Sequence, residues 1–216
     1  MVWQRFLFSR PVVWGLASLS FACLLGHFYE LWSMRLFACL ILPPATALLA
    51  YIAYAARHQP AGVQSPYTWV VQGALGGVLA AVIYDLFRLP FVLSGYPLFA
   101  VFPKFGQMLL YGTLNNDTGP AVQAAGWIYH FSNGAALGIM FLAMVTRTSW
   151  RALFWGAIAW AAMVEVFLLL TPYYSFFQLN LPFPIFLALT FSAHIIFGLT
   201  LGWWCWRRLR PTIATT

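Results

Sequence analysis

The chain has 216 residues, of which 62% are hydrophobic and only 7% are charged. Soluble domains carry about 25% charged residues, so this composition excludes a conventional water-facing surface. It predicts an integral membrane protein whose main partners are membrane lipids. The net charge of +7 does not predict nucleic-acid binding, because no basic run is interleaved with exposed polar surface. The sequence contains no glycine-rich phosphate loop, so it does not predict nucleotide binding either.

Six segments have the length and composition of membrane-spanning helices, which need about 20 mostly apolar residues. They cover 11–28, 35–56, 68–90, 120–146, 150–171 and 183–206. Pro43 and Pro44 should kink or interrupt the second segment, because proline removes a backbone hydrogen-bond donor. The sequence therefore predicts an all-α, polytopic membrane protein with six transmembrane helices.

The segments divide into a two-helix N-terminal scaffold (1–66), a four-helix membrane domain (67–210) and a short cytoplasmic tail (211–216). Cytoplasmic loops carry an excess of Lys and Arg. Placing both termini in the cytoplasm leaves eight basic residues inside and three outside, so we expect this orientation in a bacterial inner membrane. The connection 91–119 is long for a loop, which predicts a lid or an interfacial helix on the outer surface.

The four-helix domain contains the same pattern twice. In each copy a glycine precedes a carboxylate by nine residues, a proline precedes a histidine by ten, and glycines follow the histidine at +4 and +8. The two copies are Gly76, Asp85, Pro120, His130, Gly134, Gly138 and Gly156, Glu165, Pro184, His194, Gly198, Gly202. This pattern predicts a tandem two-helix repeat, helices 3–4 and 5–6, related by a pseudo-twofold axis along the membrane normal. Glycines at this spacing allow close helix approach, and if the two glycine faces meet, the histidines face each other.

The repeats place ionisable side chains inside apolar helices. Only four carboxylates and four histidines exist, and Asp85, Glu165, His130 and His194 lie within predicted spans. An ionisable group at bilayer depth costs about 2.5–3.5 kcal/mol on insertion scales, so such residues normally face the bundle and have partners. From the rise of a helix and the lean of side chains toward the helix N-terminus, we expect these four groups to converge in the outer half of the membrane.

Three interpretations of this site remain open. Two imidazoles and two carboxylates suit a divalent transition metal such as Zn, Fe or Mn. They could instead form a buried polar cluster or a proton relay, or the histidines could be the axial ligands of a b-type haem. Candidate supporting residues are Arg88, Tyr84, Tyr129 and Asn133. Arg88 is expected either to pair with Asp85 or to extend to the lipid headgroups. Tyr84 and Tyr129 are expected to act as packing residues, and Asn133 is expected to form a hydrogen bond between helices.

The preferred function is a metal site for membrane-associated chemistry, such as an enzyme acting on a lipid, a quinone or a small apolar molecule. A translocator of protons or metal ions would need a polar route to the cytoplasm, for which the inner halves of the helices offer only Gln72, Thr146 and Thr200. An accessory subunit of a larger membrane complex is the third alternative.

Several short motifs between about Gly73 and Arg208 support a family resemblance. They are Tyr84-Asp85 with Arg88-Leu89-Pro90, His130 with Gly134 and Gly138, Trp150-Arg151 with Gly156, and Ala193-His194-Ile195-Ile196 with Gly198. With these motifs the chain resembles a group of small, uncharacterised four-helix bacterial inner-membrane proteins. The first two helices lie outside this resemblance. It implies an architecture and no particular reaction.

Overall fold

The computed structural model describes residues 6–59, 64–177 and 180–209. Within these ranges the chain is all-helical and contains no strand, which confirms the predicted all-α class. The elements are α1 (Arg10–Phe28), α2 (Met34–Leu40), α3 (Leu42–Ala55), a π-helical turn (Thr68–Gln72), α4 (Gly73–Leu93), α5 (Val101–Tyr111), α6 (Pro120–Met144), α7 (Trp150–Leu169), α8 (Tyr173–Phe176) and α9 (Phe183–Leu209).

Five helical segments are long and apolar enough to cross a membrane, which supports an integral membrane protein. They are Arg10–Phe28, Met34–Ala55, Thr68–Leu93, Trp150–Leu169 and Phe183–Leu209. The sixth expected span, α6, is not among these five, because Gln123, His130, Ser132 and Asn133 make it more polar. Its 25 residues extend about 37 Å, compared with about 30 Å for the hydrocarbon core.

The helix boundaries lie close to those expected from sequence. Helices α2 and α3 meet at Ile41, just before Pro43 and Pro44, so the expected interruption is present. Helix α4 continues through Pro90 to Leu93 instead of ending at the proline. The predicted tail 211–216 and residues 60–63 of the linker between the predicted domains lie outside the described residues.

The two ends of the bundle differ in character. One end, here called the loop end, contains the connections 29–33, 94–119 and 170–182. The other, here called the arginine end, contains Arg10, Arg147 and Arg151 among its basic residues. The Arg10 guanidinium donates to the carbonyl oxygens of Ala143 at 2.9 Å and Val145 at 2.6 Å. A cation at a helix C-terminus satisfies carbonyls that have no partner within the helix, so Arg10 fixes α1 to the end of α6.

Close glycine contacts hold α4 against α6. A Cβ atom on Gly77 would lie 2.0 Å from the carbonyl oxygen of Gly134, and one on Gly138 would lie 2.1 Å from that of Gly73. Small residues at such a crossing let two backbones touch. The hypothesis that the glycine faces of the two copies meet each other is therefore wrong, because the glycines of α6 face the preceding helix of their own hairpin.

The second hairpin packs in a similar but looser way. A Cβ atom on Gly198 would lie 2.7 Å from the carbonyl oxygen of Ala157, which places α9 against α7. Helix α9 also packs against α4, so α4 lies between the two histidine-bearing helices α6 and α9. The histidines therefore approach one another across α4 and not through a direct glycine contact.

The buried apolar side chains form two clusters separated along the bundle. The cluster toward the arginine end includes Leu153, Ala157 and Leu201. The cluster toward the loop end includes Phe102, Phe105, Phe177 and Phe186. Five of the buried charged and polar residues lie where these clusters meet, and they are here called the polar layer: Asp85, Arg88, Glu165, Thr190 and His194. Their sequence neighbours Tyr84, Val164 and Ala193 belong to the first cluster. Leu98 and Phe186, whose carbonyl oxygens accept hydrogen bonds from Arg88 and Thr190, belong to the second. Apolar packing on both sides limits the access of water to this layer.

The Gly77 contact predicts a specific cost of adding one methyl group. Gly77→Ala should lower the stability of the protein by about 1–3 kcal/mol, because overpacking forces backbone shifts and the clashing atom is a backbone oxygen. The measurement is thermal unfolding in detergent, followed by circular dichroism. Gly156→Ala is the matched control, because its Cβ would meet only the ring of Phe141, at 3.7 Å. Equal melting temperatures for the two variants would contradict the close packing.

Candidate functional site

The first acid–histidine pair joins α4 to α6. The Nε2 atom of His130 lies 2.8 Å from Oδ2 of Asp85, and both side chains are mostly buried. Because an ionised carboxylate only accepts hydrogen bonds, the ring proton of neutral His130 lies on Nε2. Its Nδ1 atom then carries a lone pair and makes no hydrogen bond within the described residues. Both residues come from the first copy of the sequence pattern.

The second pair joins α7 to α9. The Nδ1 atom of His194 lies 2.8 Å from Oε2 of Glu165 and 2.9 Å from the carbonyl oxygen of Thr190. Two acceptors at Nδ1 place the ring proton there, so Nε2 is the free nitrogen of neutral His194. The Thr190 hydroxyl donates to Oε1 of Glu165 at 2.6 Å. Glu165 is only 1% exposed, and these contacts satisfy both of its oxygens.

Tyr84 connects the two pairs. Its ring centroid lies 6.1 Å from that of His130 and 5.1 Å from that of His194, with an edge-on arrangement in the second contact. Tyr84 is itself buried and lies one residue before Asp85 on α4. The four predicted site residues therefore lie in one region, as two acid–histidine pairs that flank one phenol ring.

Arg88 lies inside the bundle. It is 4% exposed, its Nη1 atom lies 3.5 Å from Oδ1 of Asp85, and its Nη2 atom donates to the carbonyl oxygen of Leu98. The guanidinium carbon lies 5.0 Å from the centre of the Tyr84 ring. Of the two interpretations of Arg88, the pairing with Asp85 is the one present. Arg88 also fixes the start of the 94–119 connection to α4.

A cavity of about 100 Å³ adjoins both histidines. Its polar lining comes from Arg88, His130, Asn133 and His194, and most of the remaining lining is apolar or aromatic. A cavity of this size has room for a few water molecules or a small chemical group, since a water occupies about 30 Å³ in the liquid. Because His130 and His194 both line this cavity, one bound molecule could contact two imidazoles.

Helix α5 covers the cavity at the loop end. Phe102 and Phe105 on α5 line the cavity, and the Phe102 ring centroid lies 4.6 Å from that of His130. A Cβ atom on Gly126 of α6 would lie 1.8 Å from the carbonyl oxygen of Phe102, so the two helices are in backbone contact. The helix expected within 91–119 is present, and it packs on the bundle as a lid over the histidine site.

The end of the lid is fastened by Asp117. Its carboxylate accepts hydrogen bonds from the Tyr111 hydroxyl at 2.5 Å and from the backbone N–H of Gly119 at 2.7 Å. These two bonds hold the pKa of the Asp117 carboxyl below its usual value. A group with a lowered pKa stabilises the fold above its unfolded pKa, and this contribution is lost as the pH falls through the lowered value. The turn between α5 and α6 therefore weakens in acid.

The remaining two candidates connect α6 to α1. Asn133 accepts a hydrogen bond from the Ser20 hydroxyl at 2.7 Å, and the Tyr129 hydroxyl donates to the Ser20 carbonyl oxygen at 2.9 Å. Asn133 also lines the cavity, whereas Tyr129 packs in the loop-end cluster. Asn133 thus forms the expected hydrogen bond between helices. The Tyr129 ring packs in the loop-end cluster, and its hydroxyl group bonds to α1.

The geometry differs from the expected four-ligand metal centre. Among the described residues, no group of three or more His, Cys, Asp or Glu side chains is arranged to hold a metal ion. Each carboxylate instead forms a hydrogen bond with one ring nitrogen of its histidine.

Two residues that contact the site were not predicted from the sequence, namely Thr190 and Ser20. Thr190 lies four residues before His194, on the same helix face, which is a usable signal, whereas nothing in the sequence connects Ser20 to α6.

Comparison with known proteins adds no function to this geometry. No family model, no curated protein and no solved structure matches the chain. The contacts of the site itself therefore define its chemistry.

Removing the Thr190 hydroxyl should leave a buried carboxylate oxygen without a donor. We expect Thr190→Val to lower the stability by about 1–3 kcal/mol, the desolvation cost of an unsatisfied buried group. The measurement is thermal unfolding in detergent. Thr200→Val, on the same helix, is the control, because the Thr200 hydroxyl bonds only to the carbonyl of Ile196 in its own helix. If both variants unfold at the same temperature, Thr190 does not support Glu165.

Proposed function

We propose that this integral membrane protein carries an intramembrane acid–base site made of the pairs Asp85–His130 and Glu165–His194. One observation carries the proposal. Each imidazole is held by a carboxylate through one ring nitrogen, and both imidazoles line the same cavity, with the other nitrogen unbonded in the described part of the chain. This is the arrangement in which a histidine exchanges protons with a bound molecule.

The chemistry of such a pair is well defined. The carboxylate fixes the tautomer and orientation of the imidazole and stabilises the imidazolium that forms when the free nitrogen takes a proton. Two imidazoles at one cavity allow one to accept a proton from a substrate while the other donates a proton to it. We expect Nδ1 of His130 and Nε2 of His194 to be the atoms that exchange protons. The reaction class is proton transfer to or from an oxygen-bearing group.

The surroundings favour an enzyme over a translocator. Between the polar layer and the arginine end, the core consists of apolar side chains such as Leu153, Ala157 and Leu201. The buried polar side chains near that end are Ser65 and Thr68, among the described residues. A proton or metal ion leaving the histidines would therefore have no continuous polar route across the bundle. The accessory-subunit alternative stays a prediction with no observation in its favour.

We further infer that α6 completes six membrane spans with both termini in the cytoplasm, which places the loop end and the cavity in the outer half of the bacterial inner membrane. The basic residues at the arginine end support this orientation. The carboxylate–histidine pairs also support the tandem repeat, because each acid binds the histidine of its own hairpin. The two copies use different ring nitrogens, so the repeat would be approximate.

A divalent metal ion is the second candidate for this site. Histidines that bind metals usually donate their other ring N–H to a carboxylate, and both histidines here do so. In that case His130 and His194 would be the ligands, and Asp85 and Glu165 would orient them. Such an ion would supply Lewis-acid chemistry at the cavity. Two protein ligands are fewer than zinc sites use, which is why the metal-free acid–base site is preferred.

A b-type haem fits less well. The cavity between the histidines measures about 100 Å³, whereas sites for drug-sized ligands measure about 300–1,000 Å³. The ring of Tyr84, which contacts both imidazoles, would have to leave to admit a macrocycle. The residues present therefore do not fit this group.

The acid–base proposal predicts which ring nitrogens take protons. Nitrogen-15 NMR of histidine-labelled protein in lipid should show Nδ1 of His130 and Nε2 of His194 taking up a proton when the pH is lowered, because the other nitrogen of each ring is already bonded to a carboxylate. Only four histidines exist, so His130→Gln and His194→Gln assign the signals directly. His27 and His58 serve as internal references.

The same spectra contain the decisive control. Asp85→Asn should change the His130 signals and leave those of His194 in place, whereas Glu165→Gln should do the reverse, because each acid contacts one imidazole. Signals of His130 and His194 that stay constant as the pH is lowered would mean that the cluster is only structural.

The metal alternative predicts a measurable stoichiometry. Elemental mass spectrometry of detergent-purified protein should find less than one Zn, Fe or Mn per chain if the acid–base proposal is right. A full equivalent that disappears in both His130→Ala and His194→Ala would establish the metal site instead. His58→Ala, outside the site, controls for adventitious binding.

A further inference from the structure

An apolar cleft runs between α6 and α7. These helices follow one another in the chain, yet α6 packs against α4 and α7 packs against α9. The gap between them contains a wide part of about 230 Å³, which α1 also lines, and a second wide part of about 380 Å³ nearer the arginine end. Trp160 and Met163 line both parts, so the two parts adjoin each other, and together they are here called the α6–α7 cleft.

The cleft leads to the histidine site. Phe21, Leu137 and Val164 line the first part of the cleft and also line the cavity that contains His130 and His194. The polar cavity and the apolar cleft therefore adjoin each other, with these three apolar side chains between them.

The length of the cleft and most of its lining suit a hydrocarbon chain, although Ser18, Thr146 and Arg147 also line it. Met163 is 41% exposed and Phe167 is 48% exposed, so the cleft opens sideways, to the lipid that surrounds spanning helices. From Val164 to Ala152 it follows twelve residues of α7, or about 18 Å. Half of a bilayer hydrocarbon core measures about 15 Å, which is the length of one lipid chain. A single chain fits this space from the site to the arginine end.

The cavity limits the headgroup of such a lipid. At about 100 Å³ it is too small for a phosphate diester with its glycerol. The free nitrogens of two neutral imidazoles accept hydrogen bonds, so they select a group that donates one. The polar layer already contains two carboxyl groups, Asp85 and Glu165, and one guanidinium group, Arg88. A carboxylate, a phosphate or an ammonium head would be one more ionised group to remove from water. A hydroxyl group, which is small, donates a hydrogen bond and carries no charge, satisfies all three conditions.

We propose that the α6–α7 cleft binds the apolar chain of a single-chain lipid alcohol, with its hydroxyl group in the cavity between His130 and His194. The proposal rests on the acid–base function proposed above and names the substrate class for it. The hydroxyl group donates its one hydrogen to a free imidazole nitrogen, either Nδ1 of His130 or Nε2 of His194, and the lid helix α5 closes the cavity over the head of the lipid.

Photolabelling tests this binding. The probe is a hexadecanol analogue with a photoactivatable diazirine in the middle of its chain, added to the full-length protein in lipid nanodiscs. We expect labels on the segments that line the cleft, 137–141 and 160–164. Ala159→Trp, a change at an exposed cleft residue, should fill the space and weaken labelling about tenfold, equivalent to about 1.4 kcal/mol. Ala50→Trp, at an exposed position on α3 outside the cleft, should leave the labelling unchanged.

Competition tests the headgroup. Unlabelled hexadecanol should displace the probe at lower concentration than hexadecanoic acid or hexadecylamine, which have the same chain. Stronger displacement by the acid or the amine would overturn the assignment of a hydroxyl head. Labelling spread evenly over the lipid-facing surface and insensitive to Ala159→Trp would overturn the cleft. Spontaneous cross-links between two copies of Ala159→Cys would show that a second chain fills the cleft, and would also overturn the proposal.

Failure here is distinguishable from failure of the acid–base site. The histidine NMR signals report proton exchange in the absence of any lipid alcohol. Normal histidine protonation without cleft labelling would refute the lipid alcohol alone, whereas cleft labelling with constant histidine signals would refute the acid–base function alone.

Discussion

This structure depends on the pairing of charged side chains inside an apolar helix bundle. Removing a carboxylate or a guanidinium from water costs several kcal/mol unless hydrogen bonds and an opposite charge replace the water. Glu165 meets this need through His194 and Thr190, and Asp85 meets it through His130 and Arg88. Because each acid and its histidine lie on different helices, the pairs fix the register of both hairpins. A slip of either helix by one turn would separate a buried charge from its partner.

Packing on either side of the polar layer makes these pairs effective. The apolar clusters at the loop end and at the arginine end keep bulk water away, and electrostatic attraction strengthens as the local dielectric constant falls. The close glycine contact of α4 with α6 brings Asp85 within 2.8 Å of His130. The same crossing places Tyr84 against both imidazoles. Backbone proximity, charge pairing and the shape of the cavity are therefore consequences of one helix crossing.

The two pairs are alike in chemistry but not in surroundings. Asp85 lies beside the positive charge of Arg88, whereas Glu165 receives a neutral hydroxyl from Thr190. Histidines whose partners sit in different environments can take different roles, one as acid and one as base. The cavity that they share adjoins the α6–α7 cleft through apolar side chains. In the proposed function, a substrate would reach this site from the lipid through that cleft.

The sequence by itself determined the membrane class, most helix boundaries and the four ionisable residues of the site. The length of the apolar segments predicts spanning helices. Because burying Asp85, Glu165 and the two histidines is costly, their presence inside such segments identifies them as candidate site residues, whatever the arrangement of the helices. Only the tertiary structure decided how they combine. Ring orientation, the choice of nitrogen and the position of α4 between α6 and α9 depend on contacts between residues distant in the chain, such as Gly77 with Gly134. Spacing within one helix sets a shared face and a depth, but it does not specify which neighbouring helix that face will meet.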